Sequence, residues 1–205
     1  MAIAGVMAFW AVSLLLVLVP GADWAYAIAA GLRDQSVLPA VAGLLAGYVA
    51  LTAVVAAGVA TVIARSSLML SVLTTLGALY LLWLGITTAA RPTAPHAGAG
   101  PSSEGWVRQA VKGAGTSGVN PKGLLLFLAL LPQFISRSAG WPVAGQIALL
   151  GLMHTANCAV VYTGVGVTAR RVLRTRPATA AAVTRCSGAA MIVIGVVLLA
   201  ERLLA

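Results

Sequence analysis

The chain contains 205 residues, of which 60% are hydrophobic and 8% charged, and its formal net charge is +9. Because so few charged residues cannot cover the surface of a soluble domain, the composition excludes a soluble globular protein and indicates an integral membrane protein. The basic residues lie mostly in short segments between apolar runs, a pattern typical of cytoplasmic loops beside anionic lipid. We therefore expect a lipid bilayer as the partner and no nucleic acid.

The first apolar run, Ala2 to Leu32, is interrupted by Pro20 and Gly21, and Asp23 follows at once. A straight helix of this length would measure roughly 47 Å, against about 30 Å of hydrocarbon in a bilayer. A carboxylate near the bilayer centre costs at least about 2.5 kcal/mol, so its presence at a helix break predicts a cation or proton site. The alternative is that Asp23 caps a second helical segment, 24–32.

The next two spans are predicted at 37–64 and 68–90. The second span carries Gly43 and Gly47 on one helix face, a spacing that lets two helix backbones approach closely. Tyr80 lies near mid-depth of the third span. Its hydroxyl either bonds a backbone carbonyl within a packed core or lines a pathway.

A polar linker, 91–109, follows the third span and is rich in Pro, Gly, Ala and Ser. Such a composition predicts poor order. It divides the chain into two parts, 1–90 and 110–205, which we expect to be two repeats of three helices each.

The fourth span, 110–135, is predicted to be broken like the first. Asn120 before Pro121 fits the start of a helix, with the asparagine as N-cap and the proline at the first helical position. Lys122 follows, and either it forms an anion site with the free N–H groups of that helix start or it extends to the membrane interface. Gln133 is a further polar candidate in this span.

The fifth and sixth spans are predicted at 141–169 and 178–199. His154 and Asn157 lie three residues apart in the fifth span and therefore share a helix face. Most polar residues in membrane spans bond across helices, and the alternative is that this pair lines the site.

The six spans fall into two groups of three, and Pro20 and Pro121 lie about half the chain apart, each in the first span of its group. Three spans per group place the groups in opposite orientations, which is typical of an inverted repeat with the site at the two broken helices. We therefore predict an all-α membrane protein of six transmembrane helices, built as two inverted three-helix repeats with broken first and fourth helices.

Orientation follows from the basic residues. They concentrate in the first, third and fifth connections, with five arginines between positions 170 and 185. Positively charged connections stay in the cytoplasm, so both termini are expected outside.

The two breaks carry opposite charges, with Asp23 at the first and Lys122 at the second. A zwitterionic amino acid needs both, one for its ammonium and one for its carboxylate. We therefore expect Asp23 to bind the substrate ammonium or carry the coupling proton, and Lys122 with Asn120 to receive the carboxylate. The two side chains could instead pair with each other, and substrate would then compete with that pair.

Four short segments together resemble the LysE/RhtB family of amino-acid exporters, and they are Val19–Asp23, Gly77–Gly85, Asn120–Gly123 and Leu131–Phe134. The family's first motif usually has a second proline where this chain has Ala22. The resemblance implies efflux of amino acids or close derivatives across the bacterial inner membrane, driven by the proton gradient, with Asp23 as the coupling candidate. It also implies a homodimer.

The predicted substrate site comprises Pro20, Gly21, Asp23, Tyr80, Asn120, Pro121, Lys122, Gln133, His154 and Asn157. No catalytic residue, cofactor or metal site is expected. An exporter of metal or other small cations is the main alternative, although it would need more acids or thiols inside the spans. An integral membrane enzyme is less well supported, because the sequence contains no HExxH motif and no close acidic pair.

Overall fold

The computed structural model describes residues 3–33, 36–65, 105–136 and 138–172, together with separate positions within 72–90 and 185–200. This part of the chain contains helices and no strand. In chain order the helices are α1 (Ile3–Leu18), α2 (Ala22–Arg33), α3 (Leu38–Arg65), α4 (Trp106–Gly118), α5 (Pro121–Leu125) and α6 (Val143–Val172). The predicted third and sixth spans, apart from those separate positions, and Tyr80 lie outside the described residues.

The first predicted break is present. α1 ends at Leu18, α2 begins at Ala22, and the two helices are bent by 58°. Proline has no amide hydrogen and cannot continue the helical ladder, so Pro20 ends α1. The indole nitrogen of Trp24 donates to the carbonyl oxygen of Val17 over 2.8 Å, which satisfies one of the groups left at the end of α1.

The second predicted break is also present, with a bend of 50° between α4 and the segment after it. Asn120 is the N-cap of α5, since its side-chain oxygen accepts from the backbone nitrogen of Lys122 at 3.1 Å, and Pro121 occupies the first turn. The chain then continues through a π-helical turn, Leu126–Leu130, and a 3-10 turn, Leu131–Phe134. Such changes of helical type occur frequently at functional sites.

α3 and α6 are unbroken and contain the stretches Leu38–Gly58 and Val143–Ala169, each long and apolar enough to cross a membrane. Each bent pair would add one more span, which gives two to four spans in the described part of the chain. Large apolar side chains point outward on both unbroken helices, including Val54 and Val160, which are 68% and 75% exposed. An apolar outer surface of this kind fits contact with lipid.

α3 and α4 pack backbone to backbone through the predicted glycine pair. A Cβ atom at Gly43 would collide with the backbone of Ala110, and one at Gly47 would collide with the hydroxyl of Ser117. That hydroxyl donates to the carbonyl oxygen of Leu44 over 2.7 Å, so a polar contact crosses the same interface. The prediction that this glycine pair allows close approach is confirmed.

α4 begins inside the segment predicted as a flexible linker. Residues 106–109 are helical, whereas the predicted linker runs to position 109. The hydroxyl of Tyr26 donates to the carbonyl oxygen of Gln109 over 2.6 Å and joins α2 to this first turn of α4. Tertiary contact therefore extends the helix beyond the boundary that composition predicts.

Candidate functional site

Asp23 is fully buried, and one of its carboxylate oxygens accepts hydrogen bonds from two helices and from the turn at the second break. Oδ2 accepts hydrogen bonds from the hydroxyl of Tyr48 at 2.7 Å, the hydroxyl of Tyr162 at 2.9 Å and Nδ2 of Asn120 at 2.7 Å. These donors come from α3, from α6 and from the turn that precedes α5. Hydrogen bonds to an ionised acceptor are short and strong, so this arrangement can hold a carboxylate away from water.

The other oxygen of Asp23, Oδ1, is buried and has no hydrogen-bond partner among the residues that the structure describes. An unsatisfied buried acceptor costs about 1–3 kcal/mol, and more when it is charged. Such groups are rare in folded proteins and point to a function or to a group that binds there. The three donors therefore fix the orientation of the carboxylate and leave Oδ1 available to a ligand.

Asp23 does not act as an N-cap. It is the second residue of α2, and its bonded oxygen accepts from side chains of other segments rather than from the N–H groups of α2. The helix starts without it, since the nitrogen of Ala25 donates to the carbonyl oxygen of Gly21 at 2.9 Å. The capping alternative is therefore wrong.

Lys122 is buried, with 6% of its surface exposed, and its ammonium donates to the carbonyl oxygen of Val19 over 2.8 Å. That carbonyl lies just past the end of α1, where the break leaves it without an α-helical partner. The alternative that Lys122 extends to the membrane interface is wrong, because the side chain is held at the first break. It does not hydrogen-bond to the Asp23 carboxylate.

His154 and Asn157 meet at Ser13 of α1. Nδ1 of His154 lies 2.9 Å from the Ser13 hydroxyl, and Nδ2 of Asn157 donates to that hydroxyl over 3.1 Å. The imidazole ring also stands edge-on to the ring of Tyr48, with centroids 4.7 Å apart. The prediction of a shared helix face is confirmed, and the pair joins α6 to α1 beside the tyrosine that binds Asp23.

The predicted site residues do not all converge. Gly21 faces Lys122, because a Cβ atom at this glycine would lie 3.6 Å from the lysine Nζ. Gln133 is exposed and donates to the carbonyl oxygen of Ala129 in its own helical segment over 2.9 Å. The two prolines lie at the breaks themselves.

Three residues that hydrogen-bond to the predicted site residues were not predicted from the sequence, namely Ser13, Tyr48 and Tyr162. A hydroxyl inside an apolar span needs a hydrogen-bond partner, which is the signal that could have indicated them. That signal does not identify the hydrogen-bond partner, since each hydroxyl can also bond to the backbone of its own helix.

The described residues contain no group of three or more His, Cys, Asp or Glu side chains placed to hold a metal ion. What the two breaks offer instead is a carboxylate with an available oxygen and a buried primary ammonium. A ligand that carries one positive and one negative group is complementary to this pair.

Apolar helices that break at buried charged residues are a construction typical of membrane transport proteins. The chain belongs to the LysE type translocator family, whose profile matches residues 14–202. The family assignment agrees with the resemblance seen in the sequence motifs.

Curated relatives cover about two thirds to three quarters of the chain. A leucine efflux protein from Enterobacter sp. (strain 638) is 34% identical over 66% of this chain and 67% of its own length. A homoserine/homoserine lactone efflux protein from Salmonella typhimurium is 32% identical over 67% of this chain and 66% of its own length. An uncharacterized membrane protein from Vibrio cholerae is 30% identical over 77% of each chain. No solved structure matches the chain.

Proposed function

We propose that this protein is a secondary transporter that exports amino acids with uncharged side chains from the bacterial cytoplasm. The observation that carries the proposal is the buried pair of charged groups at the two breaks, an oriented Asp23 carboxylate with a free oxygen and the Lys122 ammonium. The ammonium of the substrate binds Asp23, and its carboxylate binds Lys122. Charge-assisted hydrogen bonds of this kind provide both affinity and orientation.

The preference for uncharged side chains follows from the balance of charge. A zwitterion with a neutral side chain adds no net charge to a site that already holds one carboxylate and one ammonium. A cationic side chain would add a buried charge without a partner, which is strongly unfavourable. Leucine and homoserine, which stand in the names of two relatives, both have uncharged side chains. Homoserine lactone, which stands in the second name as well, has no carboxylate and falls outside the proposal.

Asn120 holds Asp23 in place rather than receiving the substrate carboxylate. Its Nδ2 donates to Asp23 and its Oδ1 accepts from the backbone of Lys122, so both ends of the amide are engaged. Tyr48 and Tyr162 fix the same carboxylate oxygen from two other helices. We therefore assign the substrate carboxylate to Lys122 alone, and not to Lys122 together with Asn120.

The larger arrangement is also part of the proposal. Six spans form two inverted three-helix repeats, 1–90 and 110–205, in the bacterial inner membrane, with both termini outside and a homodimer as the assembly. Export proceeds by alternating access around the two breaks, and Asp23 exchanges a proton as the coupling group. The bends of 58° and 50° in the first and fourth spans support a site built from paired broken helices.

The test is dipeptide feeding of a bacterial strain that overexpresses the protein. Cells supplied with leucine-containing peptides should release leucine into the medium, and Asp23→Asn and Lys122→Ala should each lower that release at least tenfold. Lys112→Ala is the matched control, since Lys112 is the only other lysine of the chain and lies exposed on α4. Release at the wild-type rate by both site variants, at equal expression, would contradict the proposal.

A further inference from the structure

We infer that, in the absence of substrate, the ammonium of Lys122 occupies the position in the transport site that the primary ammonium of the substrate takes on binding. The inference rests on the proposed function and adds to it an exchange of one ammonium for another. In this scheme the substrate displaces Lys122, and the displaced lysine then binds the substrate carboxylate.

The position of the lysine ammonium is a cation site made by the first break. The carbonyl oxygen of Val19 follows the last residue of α1, where the helix dipole places partial negative charge. Nζ of Lys122 lies 2.8 Å from this oxygen, although the two residues are 103 positions apart in the chain. A side chain from the second break thus fills an acceptor position at the first.

A second acceptor lies at the same break. Oδ1 of Asp23 is buried without a hydrogen-bond partner among the described residues, while Oδ2 is fixed by three donors. A primary ammonium carries three N–H groups and can bond to a carbonyl and a carboxylate together. The Val19 carbonyl and Asp23 Oδ1 are therefore suitable acceptors for the ammonium of an amino acid.

Gly21 lies between these two acceptors in the chain, and the Lys122 side chain passes close to it. A Cβ atom there would lie 3.6 Å from Nζ and 4.0 Å from Cε of Lys122. The lysine ammonium therefore lies beside the backbone of the first break, where it bonds to the Val19 carbonyl.

The exchange also explains how a carboxylate on the ligand is recognised. A ligand with only an amine can displace Lys122 but gives it no new partner, which leaves two positive charges beside one carboxylate. An amino acid supplies the carboxylate that receives the displaced lysine. Wild-type protein should therefore reject simple amines, and removal of the lysine charge should admit them.

The test compares two ligands on purified protein in lipid nanodiscs, measured by calorimetry. One is leucine and the other is 3-methylbutylamine, which is leucine without its carboxylate. In Lys122→Met the affinity for the amine should rise at least tenfold over wild type, and the affinity for leucine should fall at least tenfold. Lys112→Met, the matched control, should alter neither.

The gained amine binding must depend on Asp23, so Asp23→Asn combined with Lys122→Met should abolish it. An amine affinity that stays at the wild-type level in folded Lys122→Met would overturn the inference. If wild type binds and exports leucine but the amine gain is missing, the inference alone fails. If wild type neither binds nor exports leucine, the proposed function fails.

A measurement on wild-type protein covers the case in which Lys122→Met does not fold. The chain has two lysines, at positions 112 and 122, so 15N labelling of lysine Nζ gives two signals in solid-state NMR. Saturating leucine should shift the Lys122 signal and leave the Lys112 signal in place. An unchanged Lys122 signal in leucine-bound protein would contradict the exchange.

Discussion

Nδ2 of Asn120 donates to Oδ2 of Asp23 over 2.7 Å and joins two helix breaks that are 97 residues apart in the chain. The same asparagine caps α5 through its Oδ1, so one side chain both starts a helix and fixes the buried carboxylate. The geometry of the first break therefore depends directly on that of the second.

This double role predicts different effects for two substitutions of Asn120. Asn120→Ala removes the cap and the donor to Asp23, and the free energy of unfolding should fall by about 2–4 kcal/mol. Asn120→Asp keeps the capping oxygen but places a second carboxylate against Asp23, so it should be at least as destabilising. Thermal unfolding in detergent measures both, and wild-type stability of Asn120→Asp would show that capping is the whole role.

Tyr48 and Tyr162 should contribute to substrate binding through Asp23. Tyr48→Phe and Tyr162→Phe each remove one donor from Oδ2 and keep the ring, so leucine affinity should fall about fivefold to thirtyfold, or about 1–2 kcal/mol. Calorimetry on purified protein measures the change. Tyr26→Phe serves as the control, since its hydroxyl donates to the Gln109 carbonyl, and leucine affinity should stay unchanged.

Ser13 should be a stabilising contact between α1 and α6. Its hydroxyl bonds to both His154 and Asn157, so Ser13→Ala should lower the free energy of unfolding by about 1–3 kcal/mol. Thr155→Ala is a suitable comparison, because that hydroxyl donates to the Gly151 carbonyl within its own helix and should matter less. Equal thermal stability of the two variants would contradict the bridging role.

The close approach of α3 and α4 predicts opposite effects for two glycine substitutions on α3. Gly47→Ala inserts a methyl group against Ser117 and the carbonyl of Ala114, so it should destabilise the protein by about 1–3 kcal/mol. A Cβ atom at Gly58 would have no neighbouring atom within 4 Å, so Gly58→Ala should leave stability unchanged or raise it by up to about 1 kcal/mol. Thermal unfolding of both variants measures the difference, and equal loss at both positions would argue against this interface.

The sequence predicts the breaks well because the cause is local. Pro20 and Pro121 lack the amide hydrogen that a helix needs, and Asn120 carries its capping signal within three residues. The glycine pair on α3 is similarly local in cause, although its partner helix is not visible in the sequence. Each of these features follows from the covalent structure of a short segment.

The donors to Asp23 are not local and could not be predicted in the same way. Tyr48 and Tyr162 lie 25 and 139 residues from the carboxylate, so their convergence depends on how the helices pack. The side chain of Lys122 was similarly ambiguous, because its length allows it to reach either an interface or a buried carbonyl. Packing decides between these outcomes, and residue type alone does not.

The three hydrogen bonds on one oxygen of Asp23 have a consequence for movement. Because these bonds come from α3, from α6 and from the turn before α5, a shift of α2 at the first break must carry all three partners with it or break their bonds to Asp23. Movement at the first break is therefore mechanically coupled to the second break and to both unbroken helices.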